Sequence, residues 1–341
     1  MMRVMVTGGT GFAGSHTVRR FLAAGHTVRL LVRSAEKVRE VFDPFGIGIP
    51  EQDVIVGDIT DAASVERAMQ GCDAVYHGAA LVSMRRAMAK TVLRTNAQGV
   101  EYVVGGAVRR GLPSIVYVSS SSIFFTPGGE PIDLHLPIAP GTTAYAQSKA
   151  DAEHEILRMQ AEGAPIRVSY PTGIVGPDDP GLSDANGAVY IFFKQTGIVT
   201  SSGYQIVDAR DLAELHLKLL ELPEGPARYA AAGPFLDWSE TYRILDEITG
   251  TRLLRFPMPG GPLRMLGTVG DWVKRVYDFE FPLTRDAMEY ATQWPGCKGE
   301  RTTQELGVVF RSARETYTDT VRWMYAAGHL DAKHVGVLAQ D

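Results

Sequence analysis

The sequence predicts an α/β fold, a doubly wound parallel sheet carrying a smaller, mostly helical C-terminal lobe. Three observations lead there. A short apolar run, RVMV (3–6), stops at the glycine cluster TGGTGFAG and gives way to a helical pattern. Continuous apolar runs then alternate with helical patterns as far as Pro171, as expected of strands covered by helices on both faces. Beyond Pro171 that alternation ends in a stretch rich in Gly, Pro and Asp, followed by loops and amphipathic helices.

Each element can be justified in turn. After the glycine cluster, Phe12, Val18, Phe21 and Leu22 recur on one side of a helix that stops at Gly25, and VRLLV (28–32) is the second strand. Strand, glycine turn, helix and strand within about 30 residues make one βαβ unit. VIV (54–56) precedes GDITD and a short helix, and AVYH (74–77) precedes GAA. A long helical stretch runs from about Arg86 to Arg110. IVYVS (115–119) leads into a serine run, a helix surrounds Tyr145 to Met159, and IRVSYP (166–171) is another strand. IVDARDLAELHLKLLE (206–221) returns to a strand-to-helix pattern. Further on, one helix pattern uses Leu263, Leu266, Val269, Val273 and Val276, and another ends at Trp323, Met324 and Tyr325. The expected division is a sheet domain of residues 1–170 plus 205–222, a second lobe of 171–204 plus 223–331, and a frayed tail at 332–341.

Composition narrows the function classes. The 341 residues are 45% hydrophobic and 21% charged, with a net charge of -5 and no basic stripe. Neither a nucleic-acid nor a membrane partner is expected. Two cysteines and eight scattered histidines make no disulfide framework or zinc pattern, so no metal is expected. The N-terminus enters the glycine loop with no room for a signal-peptide core, and no apolar run approaches a bilayer span, so a cytoplasmic enzyme is expected.

Gly8, Gly11 and Gly14 are spaced by three, directly after a strand and opening a helix. Positions without side chains let the backbone approach a pyrophosphate, whose charge free N–H groups and the helix dipole stabilise. This is the dinucleotide-binding (Rossmann-type) arrangement. An acidic residue closing the second strand would bind the adenosine 2′-hydroxyl and favour NAD(H). Here Arg33 follows the strand and Lys37 lies close behind. A guanidinium suits a 2′-phosphate, so NADP(H) is preferred over NAD(H). Asp58 could accept from the adenine amino group or cap the helix that follows; both readings stand.

Tyr145 and Lys149 lie four residues apart, on one face if the stretch is helical. A phenol with a reference pKa of about 10 is a weak acid or base at neutral pH, and a nearby cation favours its phenolate. The fifth strand delivers Ser119 to Ser122 at its carboxyl end, where such sheets bind ligands.

In these motifs (TGGTGFAG, GDITD, YHGAA, TNAQGV, the serine run, YAQSK, YPTGIVGP and VDARDLA) the chain resembles the extended short-chain dehydrogenase/reductases over about residues 2–222. The resemblance implies that Tyr145 donates or accepts the proton. It also implies that Lys149 holds the nicotinamide ribose and that Ser120, with Ser121 as the alternative, bonds the reacting oxygen. It places Thr10, Phe12 and Ala13 on the pyrophosphate, Ala79 and Ala80 beside the cofactor, and Pro171 to Ile174 near the nicotinamide; Ile59 is a further expected cofactor contact. The resemblance gives Asn96 a structural or proton-relay role, the structural one favoured, and makes Asp211 structural rather than catalytic. Gly78 departs from the family, in which a larger apolar residue is common. A homodimer is expected from the resemblance alone.

Three functions compete. The first is an NADP(H)-dependent reductase or dehydrogenase for a small, largely apolar substrate, in the dihydroflavonol-reductase and 3β-hydroxysteroid-dehydrogenase-like branch. The others are a nucleotide-sugar epimerase/dehydratase with retained NAD and a non-catalytic dinucleotide sensor. The Tyr145/Lys149 pair weighs against the sensor and Arg33 against the epimerase. Substrate-side residues are expected among Val82, Met84, Phe124, Phe125, Tyr190, Ile191, Phe192 and Phe193, an apolar set.

Overall fold

The computed structural model describes residues 1–83, 85–273 and 284–340; Met84 and Val276, both named above, lie outside them. The first half alternates strand and helix: β1 (Arg3–Thr7), α1 (Phe12–Ala23), β2 (Thr27–Val32), α2 (Ala35–Phe42), β3 (Val54–Val56), α3 (Ala62–Met69) and β4 (Ala74–His77). Next come α4 (Ala89–Gly99), a π-helical turn over Val100–Val104, α5 (Gly105–Arg109), β5 (Ser114–Val118), α6 (Ala144–Ala161) and β6 (Ile166–Pro171). The long helix expected from Arg86 to Arg110 is therefore continuous but loosened in the middle.

The second half contains β7 (Gly173–Val175), α7 (Asp184–Lys194), β8 (Gly197–Val199), β9 (Gly203–Asp208), α8 (Ala209–Glu221) and β10 (Ala227–Ala231). It continues through β11 (Phe235–Asp237), α9 (Trp238–Thr249), β12 (Arg255–Pro257), α10 (Gly260–Val273), α11 (Arg285–Gln293), α12 (Glu300–Leu306), α13 (Ala313–Ala326) and α14 (Ala332–Val335).

Seven parallel strands form the main sheet in the order β10-β6-β5-β4-β1-β2-β3. The chain order reverses between β1 and β4, the switch point at which sheets of this kind bind ligands outside the carboxyl ends of the strands. Helices α1 and α8 pack together on one face of the sheet, α4 and α6 on the other. Two apolar cores result, one around Met5, Val75, Ile115 and Ile156, the other around Val6, Phe21, Leu30 and Leu215.

Four expectations need correction. The strand within 206–221 is β9, which joins β7 and β11 in a separate three-stranded sheet; only α8 returns to the main domain. The seventh main-sheet strand is β10, ARYAA, which sequence reading placed in the second lobe. Its small residues make no long apolar run, yet Ala230 and Ala231 are buried beside β6. Residues 332–340, expected to be frayed, are not, because Val335 and Leu338 bury themselves in the third core with Tyr242, Leu245 and Met324.

Helix α10 inverts its expected pattern: Leu263 is buried, whereas Leu266, Val269 and Val273 are exposed. Glycines 260, 267 and 270 face inward instead. At Gly267 even a Cβ would lie 2.6 Å from the Thr284 carbonyl oxygen, so close approach to α11 decides which side is buried.

Candidate active site

Thr7 ends β1, and the chain turns at Gly8, whose φ of 74° lies in the left-handed region. A Cβ there would stand 2.6 Å from the Ala79 amide nitrogen, so the close approach of the two loops requires glycine. Gly11 then starts α1 without a side-chain cap or an acid in the first turn. Helices α3, α6, α8, α9 and α13 are capped by Asp, Thr or Ser. The first-turn N–H groups of α1, from Phe12 to Gly14, lack such a partner, and a Cβ on Gly11 would meet only the Gly8 carbonyl oxygen, at 3.3 Å. These residues fit a pyrophosphate. Thr10 and Ala13 are half-buried beside the turn, while Phe12 is buried edge-on against His16.

The other positions named from sequence follow the carboxyl ends of neighbouring strands. Arg33 is exposed after β2 and makes no ion pair among the described residues. Lys37 pairs with Glu40 at 3.1 Å. Asp58 follows β3 and accepts from the Thr60 amide at 2.9 Å and its hydroxyl at 2.8 Å. It is not the helix cap, which is Asp61, bonded to the Ala63 amide. Ile59 packs toward Gly99. After β4, Ala79 and Ala80 are half-buried. Gly78 is explained here, since a Cβ would collide with the Tyr76 ring at 2.7 Å.

Thr143 caps α6 through the Ala146 amide and so orients its first turn. Asn96 fastens that turn from the side, donating to the Ser148 hydroxyl at 2.8 Å and clasping Leu81 through both amide groups. Ser148 donates to the Tyr145 carbonyl at 2.7 Å. Asn96 thus braces the first turns of α6 against the Leu81 backbone. Asp211 accepts from the Arg311 amide and guanidinium, tying α8 to the chain ahead of α13.

Lys149 is buried and donates to the Val118 carbonyl at 2.9 Å, at the end of β5. Burial lowers its ammonium to about 8, with Glu153 opposing the shift. Burial raises the Tyr145 phenol to about 12, and the Asp184 charge adds to the rise. This differs from the expected depression: desolvation outweighs a lysine already engaged by a carbonyl.

Ser120 is half-buried and shares a 2.8 Å bond with the Ser122 hydroxyl, whereas Ser121 is buried and donates to the Pro171 carbonyl at 3.0 Å. Pro171 is buried at the end of β6, and Ile174 is half-buried in β7. Of the substrate-side residues, Phe124 and Phe193 are core, while Val82 and Ile191 are exposed. Phe125 packs against Tyr290 and Trp294, and Phe192 against Trp238 and Tyr242.

Residues 4–231 match the model of the NAD dependent epimerase/dehydratase family. The chain belongs to that family. It is 27% identical to "Sterol demethylase protein B" of Methylococcus capsulatus, over 96% of this chain and 99% of the relative. It is 28% identical to a "Putative dihydroflavonol 4-reductase" of Synechocystis, over 95% of each. The crystal structure of gox2253 superposes with a TM-score of 0.81 at 25% identity, covering 96% of this chain and 99% of that one.

Several residues that support the candidate site carry little signal in the sequence. Thr7 bonds His77 at 2.7 Å and supports the Ala79 amide at 3.4 Å. The charge of Glu153 acts on Lys149, and that of Asp184, on α7, acts on Tyr145. Only Glu153 had a signal, the i, i+4, i+8 spacing of Tyr145, Lys149 and Glu153.

Proposed function

We propose that the protein is an NADP(H)-dependent reductase or dehydrogenase, acting on a ketone or secondary alcohol of a largely apolar substrate. The observation carrying this reading is the Tyr145/Lys149 pair on the first turns of α6, beside the carboxyl ends of β5 and β6. Gly8, Gly11 and Gly14 with the first turn of α1 would hold the pyrophosphate, and the unpaired Arg33 the 2′-phosphate. Lys149 would bind the nicotinamide ribose. The cofactor supplies the hydride, while the chain must hold the carbonyl and deliver a proton to its oxygen. With its pKa near 12, Tyr145 is protonated at neutral pH and is poised to donate. Ser120 supports the same oxygen, its hydroxyl being less buried than that of Ser121.

The sterol and dihydroflavonol in the relatives' names support a polycyclic, apolar substrate. So do the aromatic groups around Phe125 and Phe192, since a sugar nucleotide would call for cationic and polar partners. Purified protein is expected to exchange its nucleotide freely and to oxidise NADPH stoichiometrically with an apolar ketone. NAD that co-purifies tightly, with a sugar nucleotide epimerised and no net change in nicotinamide absorbance, would establish the epimerase instead.

Cofactor choice has its own test. Titration calorimetry is expected to show NADPH binding more tightly than NADH. Arg33→Ala is expected to remove most of the difference, roughly 1.5–3 kcal/mol for a hydrogen bond to a charged group. Equal affinities in the native protein would refute the role of Arg33.

A further inference from the structure

Behind the catalytic pair lies a buried carboxylate that the proposed reaction does not use. Glu153 follows Lys149 by four residues on α6, placing both on one face of the helix. Its side chain is inaccessible to solvent and accepts from the Ser119 hydroxyl at 2.8 Å and from the Tyr170 hydroxyl. Tyr170 in turn accepts from the Arg228 Nε at 2.8 Å, and the same guanidinium stands 3.6 Å from Glu153. These partners are donors or a cation, as an ionised acid requires; burial raises the carboxyl, and the Tyr170 and Ser119 hydroxyls with the Arg228 and Lys149 charges oppose that rise. Ser119 extends β5 immediately beyond Val118, whose carbonyl receives the Lys149 ammonium. Lysine and glutamate are therefore anchored to successive residues at the end of one strand.

We propose that Glu153 is a positioning residue that keeps Lys149 cationic for the nucleotide, acting from inside the fold. This rests on Lys149 binding the nucleotide, as proposed above. The need is physical. A buried ammonium with one carbonyl partner loses hydration, and a second compensating group must lie on its dry side. The other groups facing Lys149 do not supply a negative charge: the Tyr117 ring of β5 is 5.3 Å away, His77 of β4 is held neutral by burial, and Tyr145 is a protonated phenol. Among the described residues, Glu153 is the group that raises the affinity of Lys149 for its proton. Arg228, from the edge strand β10, balances the carboxylate on its far side without reaching the lysine.

The test is the pH dependence of NADPH affinity in the intact protein, measured by calorimetry for the native chain, Glu153→Gln, Glu153→Asp and Lys149→Met. Native affinity is expected to fall above about pH 8 as Lys149 loses its proton. Glu153→Gln keeps the shape and loses the charge. Its inflection is expected to move toward acid by about one pH unit, weakening binding about fivefold at pH 8, since one unit is tenfold in the protonation ratio. Glu153→Asp keeps the charge but shortens the reach; its inflection is expected near the native value even where its melting temperature drops. An unmoved inflection in Glu153→Gln, or equal displacement in Glu153→Asp, would overturn the inference. Should Glu153→Gln not fold, the aspartate variant alone decides, because a displaced inflection there contradicts a role based on charge. If Lys149→Met keeps both native affinity and native inflection, the nucleotide role of Lys149 itself fails, which is a distinct outcome.

Discussion

Tyr145→Phe is expected to lower kcat by roughly 10²–10⁴-fold while leaving fold and NADPH affinity nearly unchanged, the usual scale for loss of a positioned general acid. The substitution deletes one oxygen. Among the described residues no hydrogen bond from that oxygen holds α6 in place: the turn is secured by Thr143, Asn96 and Ser148. Deleting it therefore removes chemistry without removing structure. With the native phenol near 12, carbonyl reduction is expected to hold its rate across neutral pH, because the donor stays protonated. Alcohol oxidation needs the phenolate and is expected to rise with pH. Ser120→Ala removes one bond to the developing charge and is expected to cost on the order of 10²-fold. The same loss in Ser121→Ala, with Ser120→Ala unaffected, would move that role by one residue. Single-turnover kinetics with NADPH bound provide the measurement, and a Tyr145→Phe enzyme with native turnover would show that the proton comes from elsewhere.

How much of this was readable in the sequence follows from the range of the forces involved. The main sheet was legible through β6 because strands covered on both faces must be continuous apolar runs. The glycine loop was legible because φ near 74° at Gly8 and contact with the Ala79 backbone admit no side chain. Tyr145 and Lys149 share a helix face, so four residues of spacing sufficed. What failed was set by contacts between distant segments. Strand β10 is identified by its pairing with β6 rather than by its own small residues. In helix α10, Leu263 alone among the described residues of the apolar pattern is buried, because its glycines approach α11, and hydrophobic periodicity assumes that the larger side chains go inward. The Tyr145 pKa was misjudged for a similar reason: the lysine at i+4 is visible in the sequence, whereas desolvation and Asp184 on α7 are properties of the assembled cleft.

Lys149→Met is expected to separate stability from function in opposite directions. Function falls: the ammonium that would bind the ribose disappears, and NADPH affinity is expected to drop by about 10–100-fold, the worth of roughly 1.5–3 kcal/mol for a charged hydrogen bond. Turnover falls with it, because the bound nucleotide and Tyr145 lose their common anchor. Stability is expected to move the other way. The folded-state pKa of Lys149, about 8, lies below its ordinary value of 10.5, so the folded chain binds fewer protons than the unfolded chain between those limits. Burying the ammonium therefore costs stability below pH 8, and that cost is progressively relieved as the pH rises from 8 to 10.5. Methionine fills a similar volume without a charge, and relief of roughly 1–3 kcal/mol is expected at pH 7, reduced by the Val118 carbonyl left without its donor. The gain is expected to shrink toward pH 10, where the native lysine is already neutral in the folded state. Denaturant unfolding at pH 7 and pH 10, run without nucleotide, is the direct measurement. A Lys149→Met chain less stable than the native protein at pH 7 would mean that the carbonyl contact and Glu153 more than offset desolvation, so that the buried ammonium stabilises the fold.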